Sequence, residues 1–250
     1  MNKKMKLTKK NIVIISISSV LIALTIVFLS LGLTIWKPRS TEEWLADFSS
    51  SLLLVQDQSN QKTEKTISIE ENGVVVSSFY QLVEINNQDN KPVGHIIVEE
   101  KYPTIETNDF NTYDEYFFFD NTMHMRRTNG DEVVNANFSS TWAVFWEVVN
   151  ESIGENKYVF EKALFNDFEL KHKKGVHTLK TTLFEETKNK FFNNKEEANQ
   201  FSDVSFVMSL DKDCKLIDFS LQYKLKQNQN VKVEIKKLQS TEIKIKDFSD

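Results

Sequence analysis

Cys214 is the chain's single cysteine. No internal disulfide can form, so a domain outside the cytoplasm must hold itself together by packing alone. That thiol also has no histidine near it in sequence, and so lacks the neighbours that make a cysteine reactive. Glycine is scarce. Gly32, Gly73, Gly94, Gly130, Gly154 and Gly175 are the whole set, none is paired at the spacing of a phosphate-cradling loop, and no Gly-x-Ser-x-Gly elbow occurs. Positive charge is missing where a nucleic-acid binder needs it. Residues 40–250 hold 24 basic side chains against 36 acidic ones, a formal charge of −12. This excludes a basic nucleic-acid-binding surface and tight electrostatic docking on anionic lipid.

Catalytic pairs are also lacking. Glu70-Glu71, Glu99-Glu100, Glu185-Glu186 and Glu196-Glu197 are sequence neighbours. Neighbours in a strand point to opposite faces, so such pairs do not form a close carboxylate dyad. Asp211-Lys212-Asp213 lacks the glycine and the terminal glutamate of a calcium loop. The expectation is a protein that is not an enzyme, with no cofactor and no metal.

What is present begins at the N-terminus. Lys3, Lys4, Lys6, Lys9 and Lys10 precede an uncharged run, residues 11–36, and Lys37 and Arg39 follow it. About 20 apolar residues span the hydrocarbon of a bilayer. The run exceeds the roughly 7–15 residues of a signal peptide's apolar region and has no small-residue cleavage site. It predicts an uncleaved transmembrane signal anchor. The lysine excess places residues 1–10 in the cytoplasm and residues 41–250 outside it, at the cell envelope.

The outer portion reads as sheet with a few helices. Trp44, Leu45, Phe48, Leu52 and Val55 form a helical stripe over 41–56. Asn72-Gly73 and Asn129-Gly130 predict hairpin turns, because both residue types tolerate positive φ. Strands are expected at 66–70, 74–86, 94–102, 113–119, 122–127, 205–210, 216–225 and 231–238, and a hairpin over 168–185 turns at Lys174-Gly175. Trp142, Phe145, Trp146 and Val149 fall at i, i+3, i+4 and i+7 of a helix over 139–152. A short helix is expected over 188–201. Residues 103–111 read as a loop, and 239–250 as a terminal strand or a frayed tail.

The turn at Lys174-Gly175 sets His172 opposite His177. Two imidazoles alone do not make a zinc site, which needs a third or fourth ligand. Aromatics are the more telling feature: 19 Phe, 6 Tyr and 4 Trp. They serve either a filled core between sheet and helices or a cavity for an acyl chain or hydrophobic peptide. The candidate cavity lining is Trp142, Phe145 and Trp146 from the helix, with Phe117 and Phe119 from the aromatic strand.

The stretch from Tyr113 to Met125 and the closing strands 216–225 and 231–238 carry a resemblance. With the order helix, antiparallel strands, inserted helix and more strands, the chain resembles the LolA and LppX type of lipoprotein-carrier fold. That resemblance implies an unclosed antiparallel barrel wrapped around helices, with lipid or lipoprotein acyl chains bound in its hollow. The chain departs from it by using a transmembrane helix in place of a lipidated cysteine, which holds it at one membrane. The fold class expected is α+β, mostly antiparallel β: one N-terminal transmembrane helix, then an unclosed barrel-like sheet packed on a few helices. The expected function is a membrane-anchored binding protein for a lipid or other hydrophobic ligand. The alternative is a structural or assembly partner of another envelope protein, without a ligand cavity.

Overall fold

Among the described residues, eleven antiparallel strands make one open sheet in the computed structural model. The structure describes residues 39–52, 60–88, 91–105, 110–153, 158–193, 196–225, 228–240 and 242–248. The predicted membrane anchor at 11–36 and the basic residues 1–10 lie outside them. Among the described residues no helix is long and apolar enough to cross a membrane.

The first meander comprises β1 (Gln61–Glu71), β2 (Val74–Gln88), β3 (Lys91–Lys101), β4 (Thr112–Phe119), β5 (Thr122–Asn129) and β6 (Glu132–Ser139). The second comprises β7 (Phe165–Lys173), β8 (Val176–Leu183), β9 (Ser202–Leu210), β10 (Leu216–Leu225) and β11 (Gln229–Leu238), and the order across the sheet is β6-β5-β4-β3-β2-β1-β11-β10-β9-β8-β7. Tight turns set the registers. Asn72-Gly73, Asp120-Asn121 and Lys174-Gly175 each have positive φ at both positions, the geometry that matches the twist of hairpin strands. The turn expected at Asn129-Gly130 is displaced by one residue. Asn129 pairs with Glu132, so Gly130 and Asp131 form the loop.

Helix α1 (Thr41–Leu52) packs on β9 and β10, and helix α2 (Trp142–Ile153) packs on β2 and β3. Glu42 and Glu43 occupy the first turn of α1, where the positive end of the helix dipole favours them. The helix expected over 188–201 is broken into α3 (Lys188–Phe191) and a 3-10 turn at Glu196–Gln200. Strand β6 is the return arm of the hairpin at Gly130-Asp131, and its extent is not marked in the sequence because it exposes both faces and lacks the alternation of a half-buried strand. Residues 242–248 are neither strand nor helix, yet Ile243 and Phe248 are buried.

Alternation along the paired strands gives the sheet two unlike faces. On one, a large cluster joins Leu45 and Phe48 of α1 to Phe191, Phe206, Phe219 and Val233. On the same face a smaller cluster joins Phe145 and Val149 of α2 to Val83, Ile96 and Phe118. On the opposite face the tail residues Ile243 and Phe248 cover Val93 and Phe117.

Gly94 shows how tightly the smaller cluster is filled. A Cβ built on it would lie 2.1 Å from Cζ of Phe145. The glycine is there because a ring occupies its side-chain space. Gly94→Ala should destabilise the domain by about 1–3 kcal/mol through overpacking. Phe145→Leu in the same chain should recover part of that loss, as read by urea unfolding midpoints.

Candidate functional site

The five aromatics expected to line a cavity fall into two groups. Trp142, Phe145 and Trp146 come together on α2, with ring centroids 5.1 Å apart for Trp142 and Phe145 and 6.0 Å for Trp142 and Trp146. They rest on Phe118, 5.4 Å from Trp142 and 5.6 Å from Phe145. Phe117 and Phe119 point through the other face, towards the C-terminal tail. One residue of offset in a strand reverses the face, so Phe117-Phe118-Phe119 serves two separate cores.

The open space lies along α1. A groove of about 590 Å³ is lined mainly by Leu45 and Ala46 of that helix and by Tyr158, Val159, Phe160 and Ala163 of the segment that returns to β7, with Glu42, Ser49 and Lys162 also in its wall. Leu45 and Phe160 are buried members of the large aromatic cluster. Tyr158 stacks on Phe191 at 5.1 Å, and its burial pushes its hydroxyl well above the usual tyrosine range. Glu161, also in the lining, is bonded by Lys190. The volume is within the range of small-molecule sites, and apolar side chains with few charges are their usual lining. A second cleft, of about 400 Å³, has a polar wall that includes Glu70, Asp203, Ser205, Gln222 and Lys232.

A polar seam separates the two clusters on the helix-bearing face. Gln61, Thr63 and Lys65 of β1 stand opposite Ile85, Val83 and Gln81 of β2. Gln61 is 3% exposed and Gln81 2% exposed. Neither amide nitrogen has a hydrogen-bond partner. Ser140 Oγ and Asn189 Oδ1 are the other such atoms among the described residues, and both lie away from the seam. No local pattern marks these amides in the sequence, because glutamine is ordinarily a surface residue.

The His172–His177 pairing is realised. The two stand in register with Nδ1 atoms 2.7 Å apart, so one ring donates and the other accepts. Trp44 of α1 lies over both, 4.6 Å from His172 and 4.3 Å from His177. Among the described residues no group of three or more metal-ligating side chains is gathered. Through Trp44 the pair packs against the start of α1.

The opposite face has its own buried charge. Glu115 is 2% exposed. It accepts from His95 Nε2 at 3.1 Å, Tyr113 Oη at 2.9 Å and Lys246 Nζ of the tail at 3.3 Å. Burial works to raise its pKa, but those hydrogen bonds and the Lys246 charge outweigh it and hold the carboxyl at about 2 against an ordinary 4.5. The same contact and burial push Tyr113 well above the usual tyrosine range.

The sequence matches no protein-family model and no curated protein. Nine chains of solved structures are similar to it, among them the following two. LprF from Mycobacterium bovis is 11% identical, over 83% of this chain and 97% of that one, with a TM-score of 0.35. A DUF1329 family protein from Desulfovibrio piger is 13% identical, over 80% of this chain and 93% of that one, with a TM-score of 0.27. The architecture itself, an unclosed antiparallel sheet with its helices on one face, is the arrangement the LolA and LppX resemblance implies.

A carboxyl that titrates lower folded than unfolded stabilises the protein above its unfolded pKa, and that stabilisation fades as pH falls through the folded one. Glu115 should contribute roughly 2–3 kcal/mol at neutral pH and lose it between about pH 4.5 and pH 2. Urea midpoints measured down this range should fall steeply for the natural chain and less steeply for Glu115→Gln.

Proposed function

We propose that the chain is a membrane-anchored, extracytoplasmic protein that binds a lipid or other hydrophobic ligand. The observation that carries this reading is the apolar groove of about 590 Å³ along α1. It opens onto an aromatic cluster whose rings present apolar surface to an acyl chain. The uncharged run at 11–36, flanked by lysines, supports the anchor. Residues 37–40 join it to α1 in sequence. The candidate lining at Trp142 and Trp146 is a second apolar surface on the same face.

One observation favours the alternative, a docking partner in the envelope. The two edges of the sheet differ. Strand β7 carries Asp167, Glu169, Lys171 and Lys173 and has a register shift, features that discourage strand addition. Strand β6 is uncharged from Val133 to Ser139, with Val133 51%, Val134 52% and Phe138 42% exposed. Such an edge accepts an added strand.

The unit Thr41–Asp250 should yield a bound lipid on solvent extraction and mass spectrometry, or take one up from vesicles. Ala46→Arg, on the exposed side of α1, should reduce uptake at least about tenfold, the loss of about 1.4 kcal/mol of binding. Its melting temperature should stay unchanged. A unit with no bound lipid and no uptake would contradict the reading and favour the β6 partner.

A further inference from the structure

We propose that strand β6 pairs with β6 of a second copy of this chain, antiparallel and centred on Ala136, so that the two sheets run on as one. This goes beyond the ligand reading and does not rest on it. The groove lies along α1 over β9 and β10, and β6 is at the other edge of the sheet.

Strand parity decides which groups the edge offers. Ser140 N–H donates to Asn121 O at 2.9 Å. Antiparallel pairs alternate between bonded and non-bonded, so Phe138, Ala136, Val134 and Glu132 also turn their backbone groups towards β5. Val133, Asn135, Asn137 and Ser139 turn theirs outward, where the described residues supply no further strand. Val134, Ala136 and Phe138 share the helix-bearing face with Met123 and Met125 of β5.

The occupant follows from charge and register. Residues 40–250 carry a formal charge of −12, so two copies repel and their approach costs least where neither bears charge. Strand β6 is uncharged from Val133 to Ser139. Outward residues can face only outward residues, so the twofold axis passes through a residue and not between two. With the axis at Ala136, Val133 faces Ser139 of the second copy and Asn135 faces Asn137. Every outward group of the strand is then paired. An axis at Asn135 or Asn137 leaves Ser139 or Val133 with no strand residue opposite. The Ala136 register also sets Val134 against Phe138 of the second copy. Both are exposed in the single chain, and together they make a β-branched–aromatic pair at a close, non-hydrogen-bonded position. Glu132 faces Ser140 and not its own counterpart, so no like charges meet directly. Strand β7 does not substitute. Its charges and register shift discourage addition, so the contact closes as a pair and does not propagate.

The test uses the full chain in lipid vesicles, carrying Cys214→Ser to remove the only native thiol. Ala136→Cys should then give a disulfide dimer on mild oxidation. Its Cα would lie about 4.5 Å from that of its counterpart, within disulfide reach. Val134→Cys and Phe138→Cys, each made alone, would lie about 14 Å from their counterparts and should cross-link at least about tenfold more slowly. Adding Val134→Glu with Phe138→Glu to the Ala136→Cys chain sets like charges across the pair and should slow cross-linking at least about tenfold. Val134→Glu with Phe138→Lys sets opposite charges there and should restore it. Both positions are exposed, so circular dichroism should read the same fold in every variant. Equal cross-linking at residues 134, 136 and 138, or indifference to the Glu pair, overturns the proposal. Absence of the Ala136→Cys dimer, with a single copy in native mass spectra, overturns it too and leaves the β6 edge to a different protein.

Discussion

The pairing of the first strand with the last is the contact on which the rest depends. Each meander alone is a curled sheet with a free edge at its centre. The β1–β11 ladder runs from Lys62 opposite Leu238 to Glu71 opposite Gln229 and fuses the two. It sets Ile67 against Val233 and Ile69 against Val231 on the helix-bearing face, and Glu64 against Lys236 on the other, where opposite charges suit cross-strand neighbours. Because a shift of one residue would reverse every face, this register decides that both aromatic clusters lie on one side. It also decides that the chain, leaving the sheet at β6 and re-entering at β7, must cross that face from edge to edge.

The crossing explains the two cores. Its first part is α2, which seats Phe145 in the space of the missing side chain at Gly94. Its last part, Tyr158 to Leu164, closes over the large cluster and walls the groove against α1. Neither cluster extends across the junction of β1 with β2, and there the face turns polar. A filled core and a binding surface are thus compatible. The clusters are packed, and the accessible apolar surface lies beside them. On the far side the tail is fastened by Ile243 and Phe248 and by Lys246 on Glu115, so it covers the reverse face at Val93 and Phe117.

Much of this was legible in local sequence. Turn residues with positive φ marked the hairpins, the stripe Trp142-Phe145-Trp146-Val149 marked α2, and Lys174-Gly175 fixed His172 opposite His177. The failures share a physical cause. Pairing of β1 with β11 joins segments far apart in sequence, and no local pattern encodes it. Phe117 and Phe118 are alike in composition, and only the register tells which core each serves. The reason for Gly94 lies in Phe145, in another element. Gln81 looks like any polar strand residue until its partners are sought and none is found. Strand β6 carries no buried face, so the alternation that reveals other strands is absent.

Hydrogen exchange with and without added palmitate tests the account most directly. Backbone amides exchange more slowly where a ligand makes local opening more costly. Slowed exchange in Leu45–Ser49 of α1 and in Val159–Ala163 across the groove from it, with β5 and β6 unchanged, is the result the account predicts. Protection confined to β6, or no change anywhere, would contradict a ligand lying in the groove.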